Sequence, residues 1–584
     1  MSIIETLTEG IVNRDMKKEG SALLSKWGKT GLLEGLQTEH EKATMARLLE
    51  NQAKELLRES SSMGAGDVEG FAAVAFPIVR RVFAGLIANQ LVSVQPMSLP
   101  SGLIFFLDFV FSPTLNGTDV TGRDRFGNVA DQSIYGTNRV GSEITGGVSL
   151  TGDLGSNLSG PRESVGYAYA SPITSVDITS SAITVGENAT ISALTEAQKK
   201  LIKYDADVLA ESSNHLLELK IAKTQFTNLD LDNLAAINVS GTAVNAVNGL
   251  TNTDSNTKLI RRLTQVDATN VKFYFVSSVS GMDSFSFTTN SGIKLRIDHP
   301  TKDKVTHGSD DGGALTAFTM PLEGSSEIPE IDIKVDSIAI TAQTKKLKAK
   351  WTPELGQDLN AYHNLDAEVE LTSILSEQIA LEIDREILAD LVNGATAAVY
   401  YWSRSPGLFV NKETGAELGA SSAAPDFTGT VSEWYETLIE TINDVSAQIH
   451  RKTLRGGANF VIVSPEVANI LEFTSGFRAN VTADADKGDI GAVKVGALSR
   501  KFDVIVDPYF PRNVILVGRK GNSFLESGYV YAPYVPLQTT PTIFGPDDFV
   551  PRKGVMTRYA KKMVRPDMYG LVICRGLLGE EGSS

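Results

Sequence analysis

A change of hydrophobic period near residue 366 constrains this chain more than any other feature. Ile331, Ile333 and Val335, then Ile338 and Ile340, alternate with polar residues, which is the period of a strand. Lys346, Lys348 and Lys350 then alternate with Leu347, Ala349 and Trp351, so the strand is expected to run on. Pro353 and Gly356 punctuate its exit. From Asp366 onward, Leu371, Ile374, Leu375, Ile379, Ile383, Ile387 and Leu391 recur three or four residues apart, one apolar helical stripe. Gly394 follows as a stop signal. Such a helix would be about 40 Å long. That length suits a spine on which a sheet and other helices are hung.

Around this spine the composition changes in blocks. Residues 1 to about 59 carry both charges and few β-branched residues, and Leu23, Leu24, Trp27, Met45, Leu48, Leu49, Ala53, Leu56 and Leu57 fall near helical spacing. A helical hairpin packed on the body is one reading of this lead-in. Phe76, Val79, Val82, Phe83 and Leu86 predict a short helix, Val92 and Val94 a strand, and Leu103 to Phe111 a β-prone apolar run. Residues 112 to about 330 are rich in Gly, Ser, Thr, Asn and Asp. Short strand candidates punctuate them at 173–178, 183–185, 271–276, 285–287 and 293–297, with a helical patch from about Leu194 to Leu219. The pattern is that of a β-rich inserted domain.

The last third returns to a compact pattern. Trp434, Leu438, Ile442, Val445 and Ile449 form a helical stripe ended by Gly456-Gly457. Phe460 to Val463 is a buried-strand candidate, and Ser464-Pro465 reads as cap and first residue of another helix. Strands are expected at 502–506 and 514–517. The run Gly528 to Val535, taken by residue type, reads as an edge strand of aromatics and a proline.

Catalytic chemistry is not expected. The six histidines, His40, His215, His299, His307, His363 and His450, are not paired at ligand spacing, and no His-Glu-x-x-His occurs. The loop expected from Asp298-His299 to Asp310-Asp311 reads as solvated acid rather than a cation site. No phosphate-binding loop and no nucleophile elbow is present. Glu377, Asp384 and Asp390 lie mostly off the apolar stripe and are expected on an exposed or intersubunit face. No catalytic, metal or cofactor residue is assigned. The net charge of −16 gives no phosphate-binding footprint, although it allows a protein that encloses DNA. The single Cys574 rules out an intrachain disulfide framework and fits a reducing compartment. The N-terminus lacks a secretory pattern, and no apolar run approaches the roughly 18 residues of a membrane helix.

Three blocks carry a resemblance. The first holds Val79-Arg80-Arg81, Leu86-Ile87, Val94-Gln95-Pro96-Met97, Pro100 and Gly102. The second holds Leu347-Lys348-Ala349, Glu354-Leu355, Gln357-Asp358-Leu359, His363, Asp366-Ala367, Glu370-Leu371, Ile374-Leu375, Leu381-Glu382-Ile383 and Arg385-Glu386. The third holds Gly528 to Val535, Phe549-Val550-Pro551, Gly554 and Thr557-Arg558-Tyr559. In order and spacing these resemble the major capsid proteins of T-even-like tailed phages.

The resemblance implies an α+β, HK97-like phage capsid fold with a long spine helix, peripheral and axial domains, and an extended loop carrying a β-rich insertion domain. It divides the chain into a helical pro-region or arm at 1–59, and the N-arm and start of the extended loop at 60–111. The extended loop and insertion domain follow at 112–330, and the peripheral domain with the spine helix at 331–430. The axial domain at 431–545 precedes the return to the peripheral domain at 546–584.

The implied function is structural: hexamers of this chain closing an icosahedral shell around a phage genome in the virion, assembled in the host bacterial cytoplasm. Implied partners are other copies of the chain, a vertex protein, a portal, a scaffold and a maturation protease, with packaged DNA enclosed without sequence-specific binding and no membrane. That protease, in the family, cuts after Glu in a Leu/Ile-x-Glu pattern. Leu57-Arg58-Glu59 followed by Ser60 fits, which marks the Glu59–Ser60 bond; Leu7-Thr8-Glu9, Leu32-Leu33-Glu34 and Leu48-Leu49-Glu50 match as well. Two alternatives are a pentamer-forming vertex protein of the same family and a β-rich surface protein or adhesin.

Overall fold

The computed structural model describes residues 16–33, 39–60, 88–111, most of 173–300, and most of 331–418, 427–479, 493–521 and 528–578. The short helix expected at 76–86, the strand at 285–287, His307 and the Arg80-Arg81 pair lie outside the described residues. The chain forms two compact units, one from residues 1–104 and 337–584, the other from 105–336. Among the described residues no helix is long and apolar enough to cross a membrane.

The first unit opens with a helical hairpin, α1 (Met16–Gly28) and α2 (Glu39–Ser60). Trp27, Leu33, Met45, Leu48 and Leu49 are buried in the main core of the unit. Glu50 ties the two helices, accepting from Lys26 Nζ at 2.6 Å and Trp27 Nε1 at 3.1 Å. A one-turn helix α3 (Ala88–Leu91) leads into β1 (Ser93–Val94), and β2 (Ser101–Phe111) leaves the unit.

The inserted unit is β-rich, as its composition predicts. Its strands are β3 (Ile173–Thr179), β4 (Ile183–Thr190), β5 (His215–Ala222), β6 (Asn238–Thr242), β7 (Thr257–Leu259), β8 (Gln265–Val266), β9 (Asn270–Ser277) and β10 (Lys294–Pro300). One sheet runs β4-β5-β9-β7 with β8 beside β9; the other runs β3-β10-β6. The helical patch expected from Leu194 to Leu219 is corrected. Two short helices, α4 (Glu196–Leu201) and α5 (Ala206–Ala210), give way to the central strand β5. That strand buries both faces: Leu217, Leu219 and Ile221 enter one core cluster and Leu216 another. A strand covered on both sides loses its alternation, and its apolar spacing then mimics a helix.

The chain returns through β11 (Ile331–Thr341), which pairs with β2. The expected continuous strand breaks at Ala342 and resumes as β12 (Gln343–Lys350). Pro353 does not end the ordered run; it begins a helix, α6 (Pro353–His363), as proline can because its missing N–H is unbonded in a first turn anyway. Thr352 Oγ1 accepts from Leu355 N at 3.3 Å at its start.

The spine is α7 (Ala367–Gly394), 28 residues and hence about 42 Å. Asp366 caps it, accepting from Glu368 N at 2.9 Å. Leu375, Ile379, Ile383, Ile387 and Leu391 are buried as predicted. Leu371 is half-buried and Ile374 is 51% exposed, so the stripe is narrower at its N-terminal end than expected.

Beyond the spine come β13 (Val399–Ser403), α8 (Val431–Thr453), β14 (Phe460–Val463), α9 (Pro465–Glu472), β15 (Phe477–Ala479), β16 (Val493–Leu498), β17 (Phe502–Val506) and β18 (Val514–Gly518). The C-terminal strands are β19 (Tyr529–Thr539), β20 (Ile543–Phe544), β21 (Pro551–Met563) and β22 (Tyr569–Arg575). A seven-stranded sheet runs β13-β22-β18-β14-β17-β16-β15, and the five predicted residues of α8 are buried in its core cluster. A five-stranded sheet runs β1-β19-β21-β12 with β20 beside β21. The two sheets interleave in sequence, so boundaries at 430/431 and 545/546 do not separate them. β19 is interior, between β1 and β21, rather than an edge. Its Pro533 is accommodated at a register shift against β21, where a missing N–H breaks no regular ladder.

Candidate functional site

Catalytic side chains are not brought together among the described residues, and they contain no group of three or more His, Cys, Asp or Glu placed to hold a metal ion. Asp298 and His299, read from sequence as the start of a loop, lie in β10. His299 is fully buried; its Nε2 is 3.1 Å from Thr227 O and its ring sits edge-on to Phe226. Burial lowers its pKa, an effect partly offset by backbone hydrogen bonds and by Asp298. Asp298 in turn accepts from Ser175 Oγ at 2.6 Å. Cys574 is buried in β22, and burial pushes its thiol up to about 12, far from a nucleophile.

The chemistry that the structure does assemble is a clamp between α7 and the sheet beneath it. The antiparallel register of β12 and β21 sets Lys345 opposite Thr557, so Lys345, Tyr559 and Lys561 share the sheet face turned to the helix. Glu386 receives Lys561 at 2.6 Å, Lys345 at 2.9 Å and the Tyr559 hydroxyl. Asp390, one turn further, receives Lys561 and the Tyr529 hydroxyl, both at 2.7 Å. Towards the helix N-terminus, Glu382 receives Lys345 and Glu368 receives Lys553, each at 2.7 Å.

Burial alone would raise the Glu386 carboxyl, but the hydrogen bonds from Lys561, Tyr559 and Lys345 prevail and hold it down at about 2. Burial would likewise lower both lysines, yet their carboxylate partners leave them above the ordinary value. Tyr529 and Tyr559 are pushed up, first by burial and then by the carboxylates they donate to. Asp390 was expected on an exposed or intersubunit face. The structure corrects this: its partners come from β19 and β21 of its own chain.

Of the residues marked for processing, Glu59 and Ser60 occupy the last turn of α2. The rival match Leu48-Leu49-Glu50 sits mid-helix with both leucines in the core. Glu9 and Glu34 lie outside the described residues. Sequence reasoning missed the clamp, because its basic and acidic members are far apart in the chain. The one legible signal was Lys345 at the same alternate positions as Leu347 and Ala349.

Helices packed on separate sheets make this a protein of the α+β class. The chain belongs to the family described as major capsid protein Gp23, whose model matches residues 68–579. It is 33% identical over 245 residues to the major capsid protein of Vibrio phage KVP40, covering 40% of this chain and 46% of that protein. With the major capsid protein of Enterobacteria phage T4 it shares 32% over 251 residues, again 40% of this chain and 46% of the relative. The chain thus spans about half the length of these curated relatives. Among solved structures, that titled Mycobacterium phage Che8 aligns at 14% identity over 47% of this chain and 79% of that one, with a TM-score of 0.27. The bacteriophage PhiM1 mature capsid aligns at 13% over 45% and 79%, with a TM-score of 0.28. Scores this low add nothing to the family match.

Proposed function

We propose that this chain is the major subunit of a phage head, assembling as hexamers that close an icosahedral shell around a genome. The observation that carries this is the family match over residues 68–579, which covers the second compact unit and most of the first. The spine, α7 with the five-stranded sheet, serves as the peripheral domain; the seven-stranded sheet with α8 serves as the axial domain; the inserted unit belongs to the extended loop. The chain performs no catalysis of its own. It encloses DNA without reading sequence, and meets a vertex protein, a portal, a scaffold and a maturation protease during assembly in the host cytoplasm.

Processing at the Glu59–Ser60 bond belongs to the same reading. In its support, α2 ends at Ser60, the rival Glu50 is held between Lys26 and Trp27, and the family match begins only at residue 68. A chain enters a protease most readily where a helix end can unwind.

Electron microscopy and light scattering on the purified chain test the assembly. Six-fold rings, tubes or shells are expected. Five-fold rings would reassign the chain to the vertex role. A monomer that persists at high concentration with scaffold or chaperone supplied would overturn the reading.

A further inference from the structure

Among the described residues, two features next to each other in the chain are left exposed. The first is the outer face of β12. Among the described residues this strand is at the edge of its sheet. Lys345, Leu347 and Ala349 face α7, which leaves Lys346, Lys348 and Lys350 on the opposite side, all exposed. Among the described residues none of these three has an ion pair. The register places Met556 beside Lys346 on the same face. Ile543, which is 59% exposed, pairs with Arg552 next to Lys350.

The second feature is α6, which Trp351 and Thr352 separate from β12. None of its eleven residues is buried. Leu355 is 48% exposed and Tyr362 82%. With the half-buried Leu359 they occupy i, i+4 and i+7, a single apolar column. Glu354 and Asp358 form the adjacent column, exposed and without an ion pair among the described residues. A short helix with no buried residue gains little packing to hold it in water.

We propose that α6 of one copy docks on the Lys346–Lys348–Lys350 face of a second copy of this chain. Alternate residues of a strand lie about 7 Å apart, and acids one helical turn apart lie about 6 Å apart. Glu354 and Asp358 therefore match neighbouring lysines in sign and in spacing. The adjacent column of Leu355, Leu359 and Tyr362 then covers Met556 and Ile543. Lysines on an open edge also deter a second strand from pairing there, which leaves the face to a helix. Because the two patches adjoin within one copy, they pair most simply about a two-fold axis, each helix on the other copy's sheet. This contact rests on the self-assembly reading above.

Charge reversal tests it on the full chain, with sedimentation and electron microscopy as readouts. Lys346→Glu, Lys348→Glu and Lys350→Glu together are expected to raise the concentration needed for assembly at least tenfold, as is the pair Glu354→Lys with Asp358→Lys. All five in one chain are expected to restore assembly, a rescue that misfolded variants would not show. If wild type assembles and either charge-reversed set assembles equally well, the contact is wrong although self-assembly stands. Failure of the five-fold variant to recover, or lysine variants that assemble normally but lose bound DNA, also overturns it. A wild-type chain that never assembles overturns self-assembly and the contact together.

Discussion

Lys561 holds Glu386 at 2.6 Å across the joint between β21 and the spine helix. Since Tyr559 and Lys345 converge on the same carboxylate, one side chain of α7 is fastened to two adjacent strands. A long helix lying on a sheet gains non-directional burial from its apolar stripe. The clamp adds what burial does not supply, a fixed rotation and register of the helix on the sheet.

The clamp predicts an acid limb. The Glu386 carboxyl is depressed to about 2 from an ordinary 4.5. A depressed carboxyl contributes stability that is present above the unfolded value and is lost as pH falls through the folded one. Glu386→Gln is therefore expected to cost about 2 kcal/mol near neutral pH, with the difference from wild type shrinking between about pH 4.5 and pH 2. Urea unfolding of both chains across that range checks it; a gap that stays constant down to pH 2 refutes it.

The spine stripe predicts a sharp contrast between two isoleucines. Ile383 is fully buried whereas Ile374 is 51% exposed. Ile383→Ala is expected to destabilise by about 2–5 kcal/mol through the cavity it leaves. Ile383→Asp, or Ile379→Asp, is expected to prevent folding because an unpaired charge would be buried. Ile374→Asp should fold within about 0.5 kcal/mol of wild type. Soluble yield and thermal melting distinguish them; a soluble, native-like Ile383→Asp chain would contradict the placement of the stripe.

The inserted unit predicts a cost at a glycine. Glu218 is 1% exposed and accepts from Glu187 N at 3.1 Å and from the Tyr274 hydroxyl at 3.3 Å. Its carboxylate lies so close over β4 that a Cβ on Gly186 would fall 2.2 Å from Glu218 Oε2. Gly186→Ala is expected to displace that carboxylate from its donors and to destabilise the unit by about 1–3 kcal/mol. Amide exchange along β4 and β5 is the readout. Protection equal to wild type would show that the carboxylate has room to move.

How much of this was legible depended on the range of the interaction that decides it. Period alone placed α7 and α8, because an amphipathic helix writes its buried face every three or four residues. The cap at Ser464 and the start at Pro465 were equally local; Ser464 Oγ accepts from Val467 N. Period failed at β5, where burial on both faces erased the alternation, and at α6, where Pro353 and Gly356 looked like a loop. The clamp escaped because nothing near Glu386 in sequence announces Lys561 or Tyr559. Only the register of β12 and β21 brings them under the helix.

The lead-in predicts an order of cutting. Glu50 and Glu59 satisfy the same Leu-x-Glu pattern, and sequence favours Glu59 by its place at the end of the helical lead-in without saying how firmly each bond is held. The fold does: Leu48 and Leu49 are buried in the core, and Glu50 joins Lys26 and Trp27, whereas Glu59 is in the terminal turn of α2. Exposing the bond after Glu50 means unwinding the middle of the helix and withdrawing two leucines, while exposing the bond after Glu59 means fraying one turn. A Glu-specific protease under native conditions is expected to cut after Glu59 well before it cuts after Glu50, with mass spectrometry of early fragments as readout. Leu49→Asp should bring the two rates together by loosening the hairpin. Early cutting after Glu50 in the wild-type chain would mean that the hairpin opens in solution, and the fold would then give no preference for Glu59.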